Sequence, residues 1–240
     1  MPFLGSVEGQ FAFGRKPTAT QGLITSNMLL YLDAGNAVSY SGSGTTWTDL
    51  SPSANNATNL TNVTYSALNG GYLSFDGING GSGLLDSSKY STPYTGKTVF
   101  IAGKLTVMDG GSFRAMIGSG SGGRNFNLYM YSPSSGVYQL HYSAGGAGSF
   151  STNLSYTAGN WFTAAVTHST GNVVTYYFNG VQLNQITQTF TQYSASTEYV
   201  GRADNFWNGP LSVVGVYKSA LTGAEILANH AAVKGRYGLA

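Results

Sequence analysis

Short stretches in which apolar and polar residues alternate recur from about Gly22 onward, and Gly, Asn and Ser separate them. A period of two is typical of strands that have one face in a core, and the regular turns are typical of an antiparallel sandwich or barrel. The pattern predicts strands at residues 28–32, 71–76, 98–107, 113–118, 125–131, 136–142, 161–168, 172–178, 181–186, 197–201 and 211–217.

Two local signals are sharper than the rest. Asn179-Gly180 lies between two β-rich runs and predicts a two-residue type I′ hairpin, because both central residues of that turn need positive φ. Thr222 and Glu225 have the spacing of a capping box. They predict one helix from about Gly223 to Lys234, which Gly235 would end.

Composition narrows the class of protein. Charged residues make up 8% of the 240-residue chain, Gly accounts for 34 residues and the net charge is +2, so the surface must be largely uncharged and polar. This balance is more typical of secreted or virion β-sandwiches than of cytosolic enzymes. The 11 scattered Lys and Arg predict no nucleic-acid partner, and the apolar runs are too short for a membrane span. We also predict no secretory signal at the first residues.

The first 22 residues differ from the rest and predict an extended N-terminal arm, followed by one domain over residues 23–240. Large apolar side chains are unusual in a solvated tail, so we expect the arm to anchor the domain to a partner. The expected anchoring residues are Phe3, Leu4, Phe11 and Phe13, with Arg15 and Lys16 as peripheral contacts.

The order of several longer motifs resembles a known family. These are "LLYLDAGN", "TTWTDLS", "YLSFDG", "NWFTAAVTHSTGNVVTYYFNGVQL", "EYVGR" and "NGPLSVVGVYKSALTGAEI". Together they resemble the concanavalin A-like, laminin-G-like jelly-roll domain over roughly residues 23–233, as found in phage and giant-virus structural proteins. The resemblance implies an all-β fold of two antiparallel sheets with one short C-terminal helix.

The segments "PFLGSVEGQFAFGRKP" and "KGRYGL" at the two ends also resemble those of phage particle proteins. The resemblance therefore implies a non-enzymatic virion structural protein, assembled in the host cytoplasm, that acts as a capsid decoration, knob or fibre-associated subunit. Its partners would be other virion proteins, and a homo-oligomer stays open. The alternative is a glycan-binding lectin module for attachment to a host or surface.

Catalytic patterns argue for the absence of enzymatic activity. Glucanases of this superfamily use paired carboxylates. The chain has three Glu residues, and Glu198 has no acidic neighbour within five positions. The glycines at 118, 120 and 123 formally match a dinucleotide fingerprint, but a strand pattern rather than a helix follows them.

Two ligand sites are candidates. Related domains bind calcium through Asp and Asn, which points to Asp76 and Asn79, although Asn79-Gly80 stand where the family commonly has acidic residues. The alternative for Asp76 is a cap on a tight turn. Trp47 and Trp161 are expected in the core, whereas Trp207 is the tryptophan expected to be exposed. The second candidate is thus a glycan site at Trp207, Arg202, Asp204, Asn205 and Asn208. The alternative for Trp207, which the sequence favours slightly, is a loop aromatic that caps the end of the sandwich.

Overall fold

The computed structural model describes residues 22–78, 81–90, 96–106, 108–120, 126–144, 147–189 and 197–240. The anchoring residues predicted at Phe3, Leu4, Phe11, Phe13, Arg15 and Lys16 lie outside this range. The elements are β1 (Met28–Asp33), β2 (Thr58–Thr61), β3 (Val63–Ser66), β4 (Tyr72–Asp76), β5 (Ser82–Leu85), β6 (Gly96–Lys104), β7 (Ser112–Ser119), β8 (Asn127–Ser134), β9 (Val137–Ala144), β10 (Ala147–Phe150), β11 (Trp161–Ser169), β12 (Val173–Phe178), β13 (Val181–Thr187), β14 (Glu198–Val200), β15 (Asn208–Tyr217) and α1 (Gly223–Tyr237).

The strands of the described residues form two antiparallel sheets, as the sequence predicts. One has eight strands in the order β13-β12-β11-β6-β15-β4-β3, with β1 pairing the second half of β15 on the same edge as β4. The other has seven strands in the order β10-β9-β8-β7-β14-β5-β2. Each predicted strand is present with bounds shifted by a few residues, and the all-β sandwich is confirmed.

The main core fills the space between the sheets. Alternation places Ile101 and Val214 of the eight-stranded sheet against residues such as Leu128, Met130 and Leu140 of the seven-stranded sheet, all of them fully buried. Burying one face of every strand fixes its register, because a slip by one residue would turn the apolar set outward. The strand pairing therefore also determines which side chains face outward.

Four short strands, β2, β3, β5 and β10, escape the sequence pattern. Each has four residues, too few to show a clear period of two. Asn59 and Asn62 also take positive φ, and the register between β2 and β5 is irregular. Pairing with neighbouring strands, rather than local preference, makes these segments extended.

The predicted hairpin is confirmed. Asn179 and Gly180 have φ of 49° and 77°, and Phe178 pairs with Val181 across the turn. The Asn179 side chain accepts a 2.9 Å hydrogen bond from the backbone N–H of Thr163, which ties the turn to β11.

The capping box of α1 is also confirmed, but the predicted end of the helix is wrong. Thr222 accepts a hydrogen bond from the N–H of Glu225, whose side chain accepts one from the Thr222 N–H. The helix passes through Gly235 and ends at Tyr237, where Gly238 caps it in the left-handed conformation. Tertiary contacts of the last turn offset the roughly 1 kcal/mol that an internal glycine costs.

These contacts hold α1 against the outer face of the eight-stranded sheet. The Tyr237 ring stacks on Trp161 with centroids 4.4 Å apart, and Arg236 forms a bidentate ion pair with the buried Asp33 at 2.7 and 2.9 Å. Phe100 and Val213 of the sheet pack in the same apolar cluster. In the part of the chain that the structure describes, no helix is long and apolar enough to cross a membrane.

Candidate functional site

The outer face of the seven-stranded sheet carries a contiguous group of aromatic rings, here called the aromatic face. Leu128 and Met130 of β8 point into the core, so the alternating residues Tyr129 and Tyr131 point outward. The same alternation in the neighbouring strands completes the aromatic face, which consists of Phe113 on β7, Tyr129 and Tyr131 on β8, His141 on β9 and Phe150 on β10.

Register brings these rings into direct contact. Phe113 lies opposite Tyr131, and their rings stack with centroids 4.3 Å apart. His141 lies opposite both Tyr129 and Phe150, at 5.5 and 4.4 Å between ring centroids. The ring centroids of Tyr131 and Phe150 lie 5.1 Å apart. Such cross-strand aromatic pairs stabilise the sheet and hold the rings in fixed orientations.

The aromatic face is buried at its base and open above. Tyr129 is 4% exposed, and its hydroxyl accepts a 2.6 Å hydrogen bond from the buried Asn127 amide. Tyr131 and His141 are half-buried, while Phe150 is 38% exposed. The exposed rings therefore present apolar area that a ligand can cover.

Amide groups border the rings. Gln139 lies opposite Tyr131 across the ladder, and its side chain donates a 2.9 Å hydrogen bond to the exposed Asn153 amide. Aromatic rings beside polar groups that can donate and accept suit ligands that combine apolar faces with hydroxyls. Carbohydrates have this combination, since each sugar ring presents C–H groups on its faces and hydroxyls at its rim.

The sequence placed the aromatic platform at Trp207, and that expectation of an exposed ring is wrong. Trp207 is fully buried, its indole N–H donates to the carbonyl of Pro210 at 3.3 Å, and its ring meets Phe162 edge-on at 6.1 Å. The turn residues around it suggested exposure, but strand β15 begins at the next residue and draws the ring into the core. Trp47 and Trp161 are buried, as expected.

The other residues predicted around Trp207 do not converge on one surface. Arg202 and Asn205 lie in the loop between β14 and β15, where Asp204 is exposed. Asn208 lies on the other side of Trp207, paired with Asp76 and packed against Gly77. The predicted cluster is thus divided between the loop that follows β14 of the seven-stranded sheet and the first residue of β15 in the eight-stranded sheet.

Asp76 acts as a turn cap, as one of the two sequence interpretations holds. Its Oδ1 accepts a 3.0 Å hydrogen bond from the backbone N–H of Ile78. Asn79 lies outside the described residues. Among the residues that the structure describes, no three or more His, Cys, Asp or Glu side chains group to hold a metal ion. Since calcium prefers several carboxylates, the described donors around Asp76 do not fit it.

A second group of polar side chains lies inside the sandwich. Lys97 on β6 and Glu198 on β14 are both buried, and burial lowers the pKa of Lys97 to about 8 while Glu198 opposes that shift. Burial, and to a smaller extent the charge of Lys97, lower the pKa of His168 to about 4. The Lys97 ammonium lies 4.5 Å from the Phe126 ring centre.

The sequence contained a signal for the aromatic face that the strand pattern alone does not interpret. Within "NLYMY" the aliphatic residues Leu128 and Met130 occupy every second position, which assigns Tyr129 and Tyr131 to the opposite face. In "VYQLHY" Leu140 is on the inward face, which assigns its neighbour His141 to the outward one. The pairing of β7, β8, β9 and β10 is what brings them together. Adjacency of these strands depends on the whole sheet order, so the group emerges only in the fold.

Two antiparallel sheets, a helix on one outer face and aromatic rings on the other define a lectin-like jelly roll. A laminin-G family model, described as the concanavalin A-like lectin/glucanases superfamily, matches residues 104–227, about half of the chain. The chain belongs to this family. A comparison with curated protein sequences finds no significant match.

Solved structures share the fold at low sequence identity. A Trypanosoma rangeli sialidase in complex with 2,3-difluoro-KDN matches at 16% identity and a TM-score of 0.63, over 89% of this chain and 33% of the sialidase. Botulinum neurotoxin type C, which depends on interaction with two ganglioside molecules to enter cells, matches at 13% identity and a TM-score of 0.66, over 88% of this chain and 52% of the neurotoxin chain. The binding domain of Paraclostridial Mosquitocidal Protein 1 matches at 12% identity and a TM-score of 0.62, over 86% of this chain and 52% of the matched chain. The chain thus spans about a third to a half of these structures.

The absence of enzymatic activity expected from the sequence is contradicted by these comparisons, because sialidases are among the similar structures. Glu198 has no acidic neighbour close in sequence, but a fold can bring carboxylates from distant parts of a chain together. At 16% identity the likeness concerns the fold, and it assigns no catalytic residue to this chain.

Proposed function

We propose that this protein is a carbohydrate-binding module and that the aromatic face is its binding surface. The observation that carries the proposal is the contiguous group of rings on the outer face of the seven-stranded sheet, with Tyr131, His141 and Phe150 accessible. Helix α1 lies on the other sheet, so it does not cover these rings.

The comparisons support the proposal. The family is described by its lectins and glucanases. The similar structures include a sialidase, a neurotoxin that interacts with gangliosides and the binding domain of a mosquitocidal protein. Fold alone does not give function, so the support from geometry is the stronger part.

The test is binding of the full chain to an oligosaccharide array, followed by titration calorimetry with the best ligand. Tyr131→Ala and Phe150→Ala each remove one of two accessible rings whose centroids lie 5.1 Å apart. Because an aromatic contact is worth about 1 kcal/mol beyond the buried area, we expect each variant to bind at least about fivefold more weakly.

The matched control is Tyr65→Ala, which removes a half-buried tyrosine on β3 at the far edge of the eight-stranded sheet. It should bind like the unaltered protein. Thermal unfolding of all three variants checks that they are folded. A blank array with folded protein, or binding that both Tyr131→Ala and Phe150→Ala leave unchanged, overturns the proposal.

Display on a virus particle is the further hypothesis that the family resemblance suggests, and it is compatible with carbohydrate binding. Its support is the run of large apolar residues at the start of the chain, Phe3, Leu4, Phe11 and Phe13. Deleting residues 1–22 should leave a folded domain that no longer joins the particle. If the truncated protein still assembles, the anchoring hypothesis is wrong.

A further inference from the structure

Arg202 contacts two aromatic rings just after the end of strand β14 of the seven-stranded sheet. The carbon of its guanidinium lies 4.7 Å from the Tyr199 ring centre and 5.2 Å from that of Phe206. The backbone fixes this arrangement, because Arg202 and Phe206 form an isolated antiparallel bridge and the Gly201 N–H donates to the Met116 carbonyl at 2.8 Å. The guanidinium is therefore placed by two cation–π contacts.

Arg202 lies on the same side of the sheet as the aromatic face. Glu198 and Val200 of β14 are fully buried in the sandwich, so Tyr199 between them points outward, and Arg202 covers its ring. The next residue, Ala203, packs with Ala115 and Tyr129 in an outer apolar cluster. Strand β7 separates β14 from β8, and Tyr199 lies opposite Gly118 whereas Tyr129 lies opposite Ala115, three residues along β7. Two strand spacings and three residues of rise place the Tyr199 and Tyr129 Cα atoms roughly 14 Å apart.

The described residues do not use the hydrogen-bonding donors of Arg202. Its Nε is buried without a hydrogen-bond partner, and no ion pair or hydrogen bond engages its terminal nitrogens among the described residues. Asp204, two residues later, is exposed. Arg236 is the contrast, since both of its terminal nitrogens bind the Asp33 carboxylate.

Arginine offers a planar fork of donors that matches a carboxylate, and contact with aromatic rings reduces the entropy lost when it binds. A guanidinium that contacts two rings and whose donors are not used by the described residues is thus arranged as a receptor for an anionic group. Because the described residues supply no acceptor to it, a ligand can supply that group. The neighbouring aromatic face indicates that the remainder of this ligand is a sugar.

We infer that Arg202 binds the carboxylate of an acidic oligosaccharide whose other sugar rings cover the aromatic face. This inference rests on the proposed function. The separation of roughly 14 Å between Tyr199 and Tyr129 favours an oligosaccharide over a single sugar. Sialic acids and uronic acids both supply the carboxylate, so the experiment uses one pair of ligands for each source.

The experiment measures binding of the full chain to 3′-sialyllactose against lactose, and to a galacturonic acid trimer against its carboxyl-reduced form. The acidic member of at least one pair should bind about tenfold or more tightly, since charge-assisted hydrogen bonds are roughly twice as strong as neutral ones. Arg202→Gln should remove that preference while leaving the binding of the neutral member unchanged. Arg202→Lys should retain only part of it, because an ammonium lacks the planar fork.

The control is Lys218→Gln, which removes the same charge from an exposed position after β15 and should keep the preference. Equal binding of acidic and neutral members by the unaltered protein overturns the inference but leaves the proposed function standing. Binding of neutral sugars alone does the same. Failure of the proposed function is a separate outcome, namely no carbohydrate bound at all. The comparison of ligands on the unaltered protein stays decisive even if a variant does not fold.

Discussion

Asp33 and Arg236 connect the first strand to the last helix, and removing Asp33 should strongly destabilise the fold. The Asp33 carboxylate is 1% exposed and accepts hydrogen bonds from both terminal nitrogens of Arg236, at 2.7 and 2.9 Å, and from the Gly35 N–H at 2.9 Å. In Asp33→Asn an amide NH₂ would replace one carboxylate oxygen, so a donor would face the N–H donors from which that oxygen accepts hydrogen bonds. The Arg236 charge would then lack its counter-ion in a largely buried position.

The magnitude follows from burial. Losing one partner of a buried ion pair costs about 3 to 5 kcal/mol, because the remaining charge is left uncompensated. The Arg236 side chain is 23% exposed and can reach some water, which favours the lower end. We therefore expect Asp33→Asn to reduce the free energy of unfolding by about 3 kcal/mol. Asp109→Asn, at an exposed loop position, should change it by less than about 0.5 kcal/mol.

Denaturant unfolding followed by tryptophan fluorescence measures both values, and Trp161 reports directly on the helix because it stacks on Tyr237. A double-mutant cycle with Arg236→Met isolates the pair, since methionine keeps an apolar stem without the charge. The double variant should be about 2 kcal/mol more stable than the sum of the single effects predicts. A loss below about 1 kcal/mol for Asp33→Asn, or a coupling energy near zero, would refute the reasoning.

Two further predictions concern the interior. Trp207→Ala should lower the free energy of unfolding by about 3 to 5 kcal/mol, because it leaves a cavity beside Phe162, and the fraction that stays folded should bind carbohydrate normally. Selective loss of binding with unchanged unfolding would show that the ring acts as a ligand platform after all. Stability should also fall between pH 7 and pH 5, because burial lowers the pKa of His168 to about 4 whereas the unfolded chain takes up a proton near 6.5. The unfolded state thus binds the extra proton as the pH falls, and since His168 is partly exposed the loss at pH 5 is about 1 kcal/mol. His168→Gln should reduce that loss of stability. Burial also lowers the pKa of His230, which should therefore contribute to the pH dependence that remains in this variant. A pH dependence identical in His168→Gln and the unaltered protein contradicts the assignment to His168.

The parts of the fold that local sequence determines were predictable. The hairpin at Asn179-Gly180 needs two residues that accept positive φ, and the capping box needs only residues three positions apart. The end of α1 was not predictable in this way. Gly235 is a local stop signal, but the helix continues because Arg236 and Tyr237 find partners on β1 and β11, far away in sequence.

The candidate site depends on the same kind of distant pairing. Trp207 has turn residues on both sides, and these indicate exposure on a local view, yet strand β15 directs the ring inward. For the aromatic face the local pattern is correct but incomplete. It gives the face of the strand on which each ring lies, but only the order β10-β9-β8-β7 shows that the rings touch. Sheet order is a property of the whole chain, so no window of sequence contains it.

The position of the helix explains why the two sheets differ in what they can bind. Helix α1 covers Phe100, Val213 and Tyr217 on the outer face of the eight-stranded sheet, and the Asp33–Arg236 pair holds it there. That face therefore belongs to the interior. The outer face of the seven-stranded sheet has no such cover among the described elements, and its aromatic residues satisfy one another by stacking. A surface that is already rigid loses little entropy when it binds, which favours a ligand that lies flat across the strands and ends at Arg202.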